Sequence, residues 1–470
     1  MNPLPITALA AMMVGVVGCA VLPPLGTKRE KGDLARVKEG VPREWAALPS
    51  SSPGEPAGWL DEFSGSELRP LVERALQENR DFKAAAARVR AAQSQTASAT
   101  AALLPTAGLN GAANRSQRPG DQRFASLGQR AKRFTVTGQY SWELDLWGRV
   151  ADQRRAAKAR ENAAAADYHG ARLSLAATTA RTAITLAEAS SLRDLSAENV
   201  RVRKTQLGIL ERQLDRGVEP ARAALDLSLG RADLARAESV LAQRGQVVDE
   251  TRRTLETLMG GYPAGKERGL SELPTLRKAV PAGLPSELLL RRPDILVAEQ
   301  RLREATSNES VAKKAFLPSI SLTGNRGFSS QQLARLANPS TALWTIGGDA
   351  ALSLFEGGSR LAEIRRRKAG YDEALMNYES QALTAFREVE TALAAGGFFS
   401  EQEAALRSAV EEADRAERLA LGQYEKGLAD VLTLLDARQR AFDSKGSLIS
   451  VQADRLRNRL DLHLALGGDF

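Results

Sequence analysis

The 470-residue chain has almost none of the thiol and imidazole side chains from which many catalytic and metal centres are built. It has one cysteine, Cys19, and two histidines, His169 and His463, far apart in sequence. That leaves no His-based metal site, and no nucleophile, base and orienting group assemble with any specificity. The sequence therefore implies no enzyme and no cofactor. Aromatics make up only 5% of residues. No stretch reaches the roughly 18 to 20 apolar residues that a membrane-spanning helix needs, so a membrane crossing would have to be made by strands. The basic excess is small, 65 Lys and Arg against 57 Asp and Glu, which suits solvated helix faces of mixed charge and not nucleic acid.

What is present is a duplication. Leu104-Pro105-Thr106-Ala107-Gly108-Leu109 precedes an alternating segment, Phe134 to Leu144, and then Trp147-Gly148-Arg149. Roughly 210 residues later, too long a period for a solenoid repeat, Leu317-Pro318-Ser319-Ile320-Ser321-Leu322 precedes Trp344 to Leu354 and then Gly358-Ser359-Arg360. Upstream, Asn79-Arg80-Asp81 and Arg88-Val89-Arg90 match Arg292-Pro293-Asp294 and Arg301-Leu302-Arg303 in one register.

Each half changes period at its Leu-Pro step. Phe134, Val136, Gly138, Tyr140, Trp142 and Leu144 fall on one face of a strand, and Thr135, Thr137, Gln139, Ser141 and Glu143 on the other. Trp344, Ile346, Gly348, Ala350, Leu352 and Leu354 repeat the pattern. Segments of about ten residues, apolar outward and polar inward with aromatics near the ends, are the signature of an outer-membrane strand. Strands are expected at 106–116, 134–144, 319–328 and 344–354, with the joining segments 117–132 and 331–338 on the cell exterior. Four strands fall short of the roughly eight that close a barrel, and three copies giving about twelve are the simplest solution.

The rest reads as long helices. Val150 to about Arg216 contains no proline, and neither does Leu361 to Lys426; each is on the order of 100 Å long. Tips follow at Gly217, Val218 and Glu219, and at Gly427, Leu428 and Asp430, before returning helices. On the second return helix Leu432, Leu435, Gln439, Phe442, Gly446, Ile449, Ala453, Leu456 and Leu460 step by three and four, a coiled-coil spacing.

The expected organisation is a signal peptide over 1–18, an extended Pro- and Ser-rich leader over 19–62, a first repeat over 63–259, a linker over 260–285 and a second repeat over 286–470. Val16-Val17-Gly18-Cys19-Ala20 resembles a lipobox, with Cys19 as the acylated residue and Ala20 directing the lipoprotein to the outer membrane. Gly260-Gly261-Tyr262-Pro263-Ala264-Gly265-Lys266 has P-loop spacing, but Glu267 stands where Ser or Thr must be and a helix precedes it, so it is the linker. Arg154 and Arg155, like Arg365 and Arg366, follow the strand that leaves the membrane and read as a basic collar facing lipid phosphates.

The lipobox, the strand pairs entered through Leu-Pro-Ser/Thr, and Tyr424-x-x-Gly427 followed by Leu432-Thr433-Leu434-Leu435-Asp436-Ala437-Arg438-Gln439 together resemble the TolC/OprM family of outer-membrane efflux ducts. The likeness is greatest to its lipidated branch. The resemblance implies a mainly α fold with a membrane β-barrel: a homotrimer with a twelve-stranded barrel and a twelve-helix periplasmic tunnel. It implies a passive duct of a Gram-negative outer membrane, exporting small toxic compounds, with an inner-membrane pump supplying energy and a periplasmic adaptor docking on the helical tips. Tyr424 matches the family's gate tyrosine, and Leu432 and Asp436 its apolar and acidic constriction positions. Thr433 stands where some members carry a second acidic ring. The first-half equivalents of the constriction pair are Arg222 and Asp226, which neutralise each other. The competing readings are a duct for type I protein secretion and, from another class, a periplasmic coiled-coil adaptor or scaffold.

Overall fold

Proline and glycine punctuate the chain, and the elements follow that punctuation. The computed structural model describes residues 27–42, 45–47, 58–63, 67–117, 130–215, 220–276, 285–426 and 428–468. Its elements are α1 (Thr27–Glu39), α2 (Leu68–Glu78), α3 (Arg80–Ala101), β1 (Thr106–Gln117), β2 (Arg130–Leu144), α4 (Arg149–Asp215), α5 (Pro220–Leu258), α6 (Pro285–Arg291) and α7 (Pro293–Lys314), then β3 (Ser319–Ser330), β4 (Ala342–Ala351), α8 (Ser359–Glu425) and α9 (Val431–Leu466). The described residues divide into two compact units, one within 1–39, 88–165 and 297–379, the other within 40–87, 166–296 and 380–470.

In the first unit the strands form one antiparallel sheet in the order β1-β2-β3-β4. The β2–β3 pairing joins the two halves of the duplication, with Gly138 opposite Arg326 and Trp142 opposite Leu322. Residues directly opposite in an antiparallel ladder share a face. One face therefore carries Leu109, Val136, Tyr140, Trp142, Leu322, Phe328, Trp344 and Ile346, and the other Thr135, Thr137, Gln139, Asn325 and Thr345. In the single chain this apolar face is uncovered: Leu109 is 80% exposed, Trp344 74% and Ile346 68%. The outer edges of β1 and β4 find no strand partner among the described residues. No described helix is long and apolar enough to cross a membrane.

The strands begin and end on fixed points. Trp142 Nε1 donates to the Leu103 carbonyl at 2.9 Å, and Trp147 Nε1 to that of Pro318 at 2.7 Å. Gly148 (φ +73°) turns the chain into α4, whose first amides, Val150 and Ala151, donate to the Asp145 carboxylate. Gly357 and Gly358 (φ +59° and +86°) make the same turn into α8. Just past the first turn lies a buried cluster. Asp152, wholly buried, accepts from Ser310, from Lys314 Nζ at 2.8 Å and from Arg155. It fixes the start of α4 to the end of α7.

The leader is not extended throughout. Thr27–Glu39 is helical, held by tertiary contacts that a local reading of composition cannot see. Tyr371 Oη of α8 donates to Asp33 at 2.8 Å, while Arg29 stacks over the Tyr371 ring and pairs with Asp372 at 2.6 Å. Burial, followed by the hydrogen bond to Asp33, pushes the Tyr371 hydroxyl pKa up.

The second unit packs around alanine. Ala176, Ala180, Ala183 and Ala187 of α4 line one buried stripe against Trp59, Val72, Leu255, Met259, Ala453, Leu456 and Leu460. The helical stretch from Leu68 to Ala101 is broken at Asn79. Its amide donates to the Leu258 carbonyl while its oxygen caps the Phe82 amide at 2.9 Å. Gly260 (φ +71°) lies so close that a β-carbon there would sit 2.5 Å from the Glu78 carbonyl oxygen. Arg292 is buried between Asp294 (2.6 Å), Glu388 (2.8 Å) and the Ala465 carbonyl (2.9 Å). His463 pairs with Glu62 at 3.0 Å and stacks on Trp59.

Candidate functional site

The helical ends of the second unit carry the residues that the sequence marks as a constriction. Tyr424 closes α8, one residue before its C-terminus. Asp430 caps α9, accepting from the Thr433 amide at 2.8 Å and hydroxyl at 2.6 Å, and so fixes where the return helix starts. Leu428, just before it, is exposed and donates its amide to the Gln423 carbonyl. Gly217, Val218, Glu219 and Gly427 lie outside the described residues, as does Cys19.

From that cap the helix sorts its side chains. Val431, Leu434 and Ala441 are buried inside the chain. Leu432 is 56% exposed, and Asp436, one turn on, is exposed beside it. This modifies the coiled-coil stripe read from the sequence. Near the tip the stripe buried within the chain is 431, 434 and 441, and the line of Leu432 and Gln439 is exposed. The two patterns merge lower down, where Ala453, Leu456 and Leu460 are all buried. Asp436 forms an i,i+4 ion pair with Arg440 at 2.8 Å, which raises the Arg440 pKa through the hydrogen bond and the carboxylate charge. The structure thus places an apolar, an acidic and a basic side chain in succession on one uncovered helix face.

Sequence reading missed the polar ties behind that face. Arg203 of α4, almost wholly buried, donates to Asn199 at 3.0 Å and to Gln439 of α9 at 3.1 Å, and pairs with Asp233 of α5. Arg438 donates to Gln206 and pairs with Glu417 of α8 at 3.3 Å. Burial lowers the pKa of both guanidinium groups. Further from the tip Lys445 pairs with Asp414 at 2.7 Å. These partners are separated by up to 236 positions, and no local pattern announces them.

The four collar arginines do not behave alike. Arg154, Arg365 and Arg366 are exposed and Arg155 is half-buried. Arg155 is drawn toward buried Asp152, and Arg366 shares Glu363 with Arg367 at 2.6 and 2.7 Å. The hydrogen bonds from Arg366 and Arg367 hold the Glu363 carboxyl down to about 2. Among the described residues no group of three or more His, Cys, Asp or Glu is arranged to hold a metal ion.

The family model described as outer membrane efflux protein matches residues 71–261 and again 284–468. The chain is 30% identical to the toluene efflux pump outer membrane protein TtgC of Pseudomonas putida over 98% of its own length and 95% of the relative's. It is 32% identical to outer membrane protein OprJ of Pseudomonas aeruginosa, over 88% of this chain and 86% of that one. Its fold superposes on the outer-membrane channel OprN with a TM-score of 0.84 at 28% identity, covering 92% of this chain and 97% of the channel.

Proposed function

The chain belongs to the outer membrane efflux protein family, and we propose how its residues serve that role. It is an outer-membrane duct of a multi-component efflux system, with strands in the membrane and helices extending into the periplasm. In our reading it is passive, with no chemistry or cofactor of its own, and works as a homotrimer beside an inner-membrane pump and a periplasmic adaptor. The observation that carries this is the uncovered four-stranded sheet. Its apolar face and two open edges have no low-energy state in a bilayer until neighbouring copies pair β1 with β4. A relative is named for toluene efflux, and small apolar toxic compounds are the cargo proposed here.

Residues 1–18 act as the signal peptide, Cys19 as the lipid anchor, 19–62 as the leader and 260–285 as the linker between repeats 63–259 and 286–470. The hairpin tips at Gly217, Val218, Glu219, Gly427, Leu428 and Asp430 dock the adaptor. Arg154, Arg155, Arg365 and Arg366 form the collar at the inner lipid surface, with Arg154 and Arg365 making the phosphate contacts because the other two have carboxylate partners.

The gate is formed by Tyr424, Leu432 and Asp436. Threefold symmetry turns the exposed Leu432 into an apolar ring and Asp436 into an acidic one. Arg440 beside each carboxylate reduces the ring's charge, and the Arg203–Gln439 and Arg438–Gln206 bonds hold the inner helix closed. Single-channel recording in planar bilayers tests this. Leu432→Ala, Asp436→Ala and Tyr424→Phe are expected to raise resting conductance, Asp436→Ala to weaken cation selectivity and Arg440→Gln to strengthen it. Intact trimers with unchanged conductance and selectivity in all four variants would place the constriction elsewhere.

A further inference from the structure

The outward face of the sheet carries a charge pattern that a duct does not need. Every charged side chain described on that face is basic: Arg115, Lys132 and Arg326. The acidic strand residues, Glu143 and Asp349, lie on the inward face by the same alternation. All three cations belong to the half of the sheet nearer the β1–β2 and β3–β4 connections, the exterior end of a duct whose helices extend into the periplasm.

The duplication fixes their level. Arg326 is the counterpart of Ala113: both are paired with the aromatic that opens the second strand of their half, Trp344 and Phe134. Arg115 lies two residues beyond Ala113, and Lys132 is directly opposite Arg115. Two like charges facing across a ladder are destabilising unless an anion lies between them. A lone cation among lipid chains carries a similar penalty, which falls toward the interface as a long side chain reaches up to a phosphate. Arg326 is exposed between Gly138, over which the Tyr140 ring lies, and Trp344 on the opposite neighbouring strand, with Ile346 one pair further along the sheet as a third apolar wall. By strand rise Arg326 and Lys132 are roughly 20 Å apart, so each takes its own phosphate.

We infer that this face is a docking surface for the phosphorylated glycolipid of the outer leaflet. One phosphate sits between Arg115 and Lys132 and another on Arg326, with acyl chains along Tyr140, Trp344 and Ile346. A headgroup bearing several phosphates matches this separated set of cations, and charge-assisted guanidinium–phosphate bonds supply the hold.

Native mass spectrometry of the detergent-solubilised trimer, titrated with bis-phosphorylated lipid A, reads the retained lipid directly. The wild type is expected to retain it at least about 10-fold better than the Arg115→Gln/Lys132→Gln/Arg326→Gln variant, and better than it retains dephosphorylated lipid A or phosphatidylglycerol. Arg133→Gln, which removes a cation from the opposite face, is expected to leave retention unchanged. Equal retention by the triple variant, equal binding of the dephosphorylated or glycerol lipid, or equal loss with Arg133→Gln would overturn the assignment. If the triple variant does not assemble, the comparison of the three lipids on the wild type decides.

Discussion

The cluster around Asp152 makes an asymmetric prediction. Asp152 is 0% exposed and Lys314 3%, yet their dependence on each other differs. With Lys314→Met, Asp152 keeps Arg155 and Ser310, so its charge stays neutralised and hydrogen-bonded. With Asp152→Asn, the Lys314 ammonium loses its carboxylate and is left with neutral acceptors, the new amide oxygen and the Gly148 carbonyl at 3.3 Å. Removing one partner of a buried pair costs about 3–5 kcal/mol when the survivor is left uncompensated, and Asp152→Asn approaches that figure. Lys314→Met should cost nearer 1 kcal/mol, the scale of a lost hydrogen bond. The combined Asp152→Leu/Lys314→Met variant removes both charges, frees Arg155 to turn to water and should return to within roughly 1 kcal/mol of the wild type. Hydrogen exchange of the Arg149–Arg160 amides in solubilised trimers reads local opening without assuming global two-state unfolding. Protection should fall by more than about 100-fold for Asp152→Asn and by about 10-fold or less for Lys314→Met and for the pair. Equal losses in the two single variants, or a double variant that sums them, would refute the reasoning.

Acid should loosen the Arg292 cluster. Burial alone would raise the Asp294 pKa, but the bonds and charge of Arg292, with Gln381 and the Ile295 amide, hold it below the ordinary 3.8. A depressed carboxyl stabilises the fold fully above 3.8 and loses that contribution as pH falls through its lower folded value; Asp294→Asn should therefore flatten the fall of the melting temperature with acid below 3.8. A cysteine replacing Ser340, in the β3–β4 connection, should react with an impermeant thiol reagent on intact cells, and labelling only after outer-membrane rupture would reverse the sheet's orientation. Cys19→Ser should abolish lipid incorporation and signal cleavage, and an unprocessed wild-type N-terminus on mass spectrometry would count against lipidation. Trimers should survive that change, since one lipid chain adds only marginal membrane binding.

The strands were legible because a bilayer imposes its alternation on every residue, and the long helices because nothing interrupts them. The ends were less so. β2 starts at Arg130, above the apolar run, where a strand can continue in polar residues that no longer signal their surroundings. β4 stops at Ala351 although the apolar alternation runs on to Leu354, because its partner begins at Ser319 and Pro318 has no amide to extend the ladder. The helix at Thr27–Glu39 exists by virtue of Tyr371 and Asp372, more than 330 residues away. Leu432 and Asp436 were visible as a pair four apart. Arg203 and Arg438 were not, since a buried arginine looks like any other until its distant acceptors are known.

The two unpaired edges of the sheet make this gene product sensitive to its own variants. A chain that folds its helices but spoils β1 or β4 still offers one sound edge, and can occupy a place in a ring it cannot close. If half the chains in a cell were of that kind and assembly drew three at random, only roughly one ring in eight would be built wholly from sound copies. Edge defects should therefore be dominant over the wild type, whereas defects on the lumen face, which leave closure intact, should be recessive.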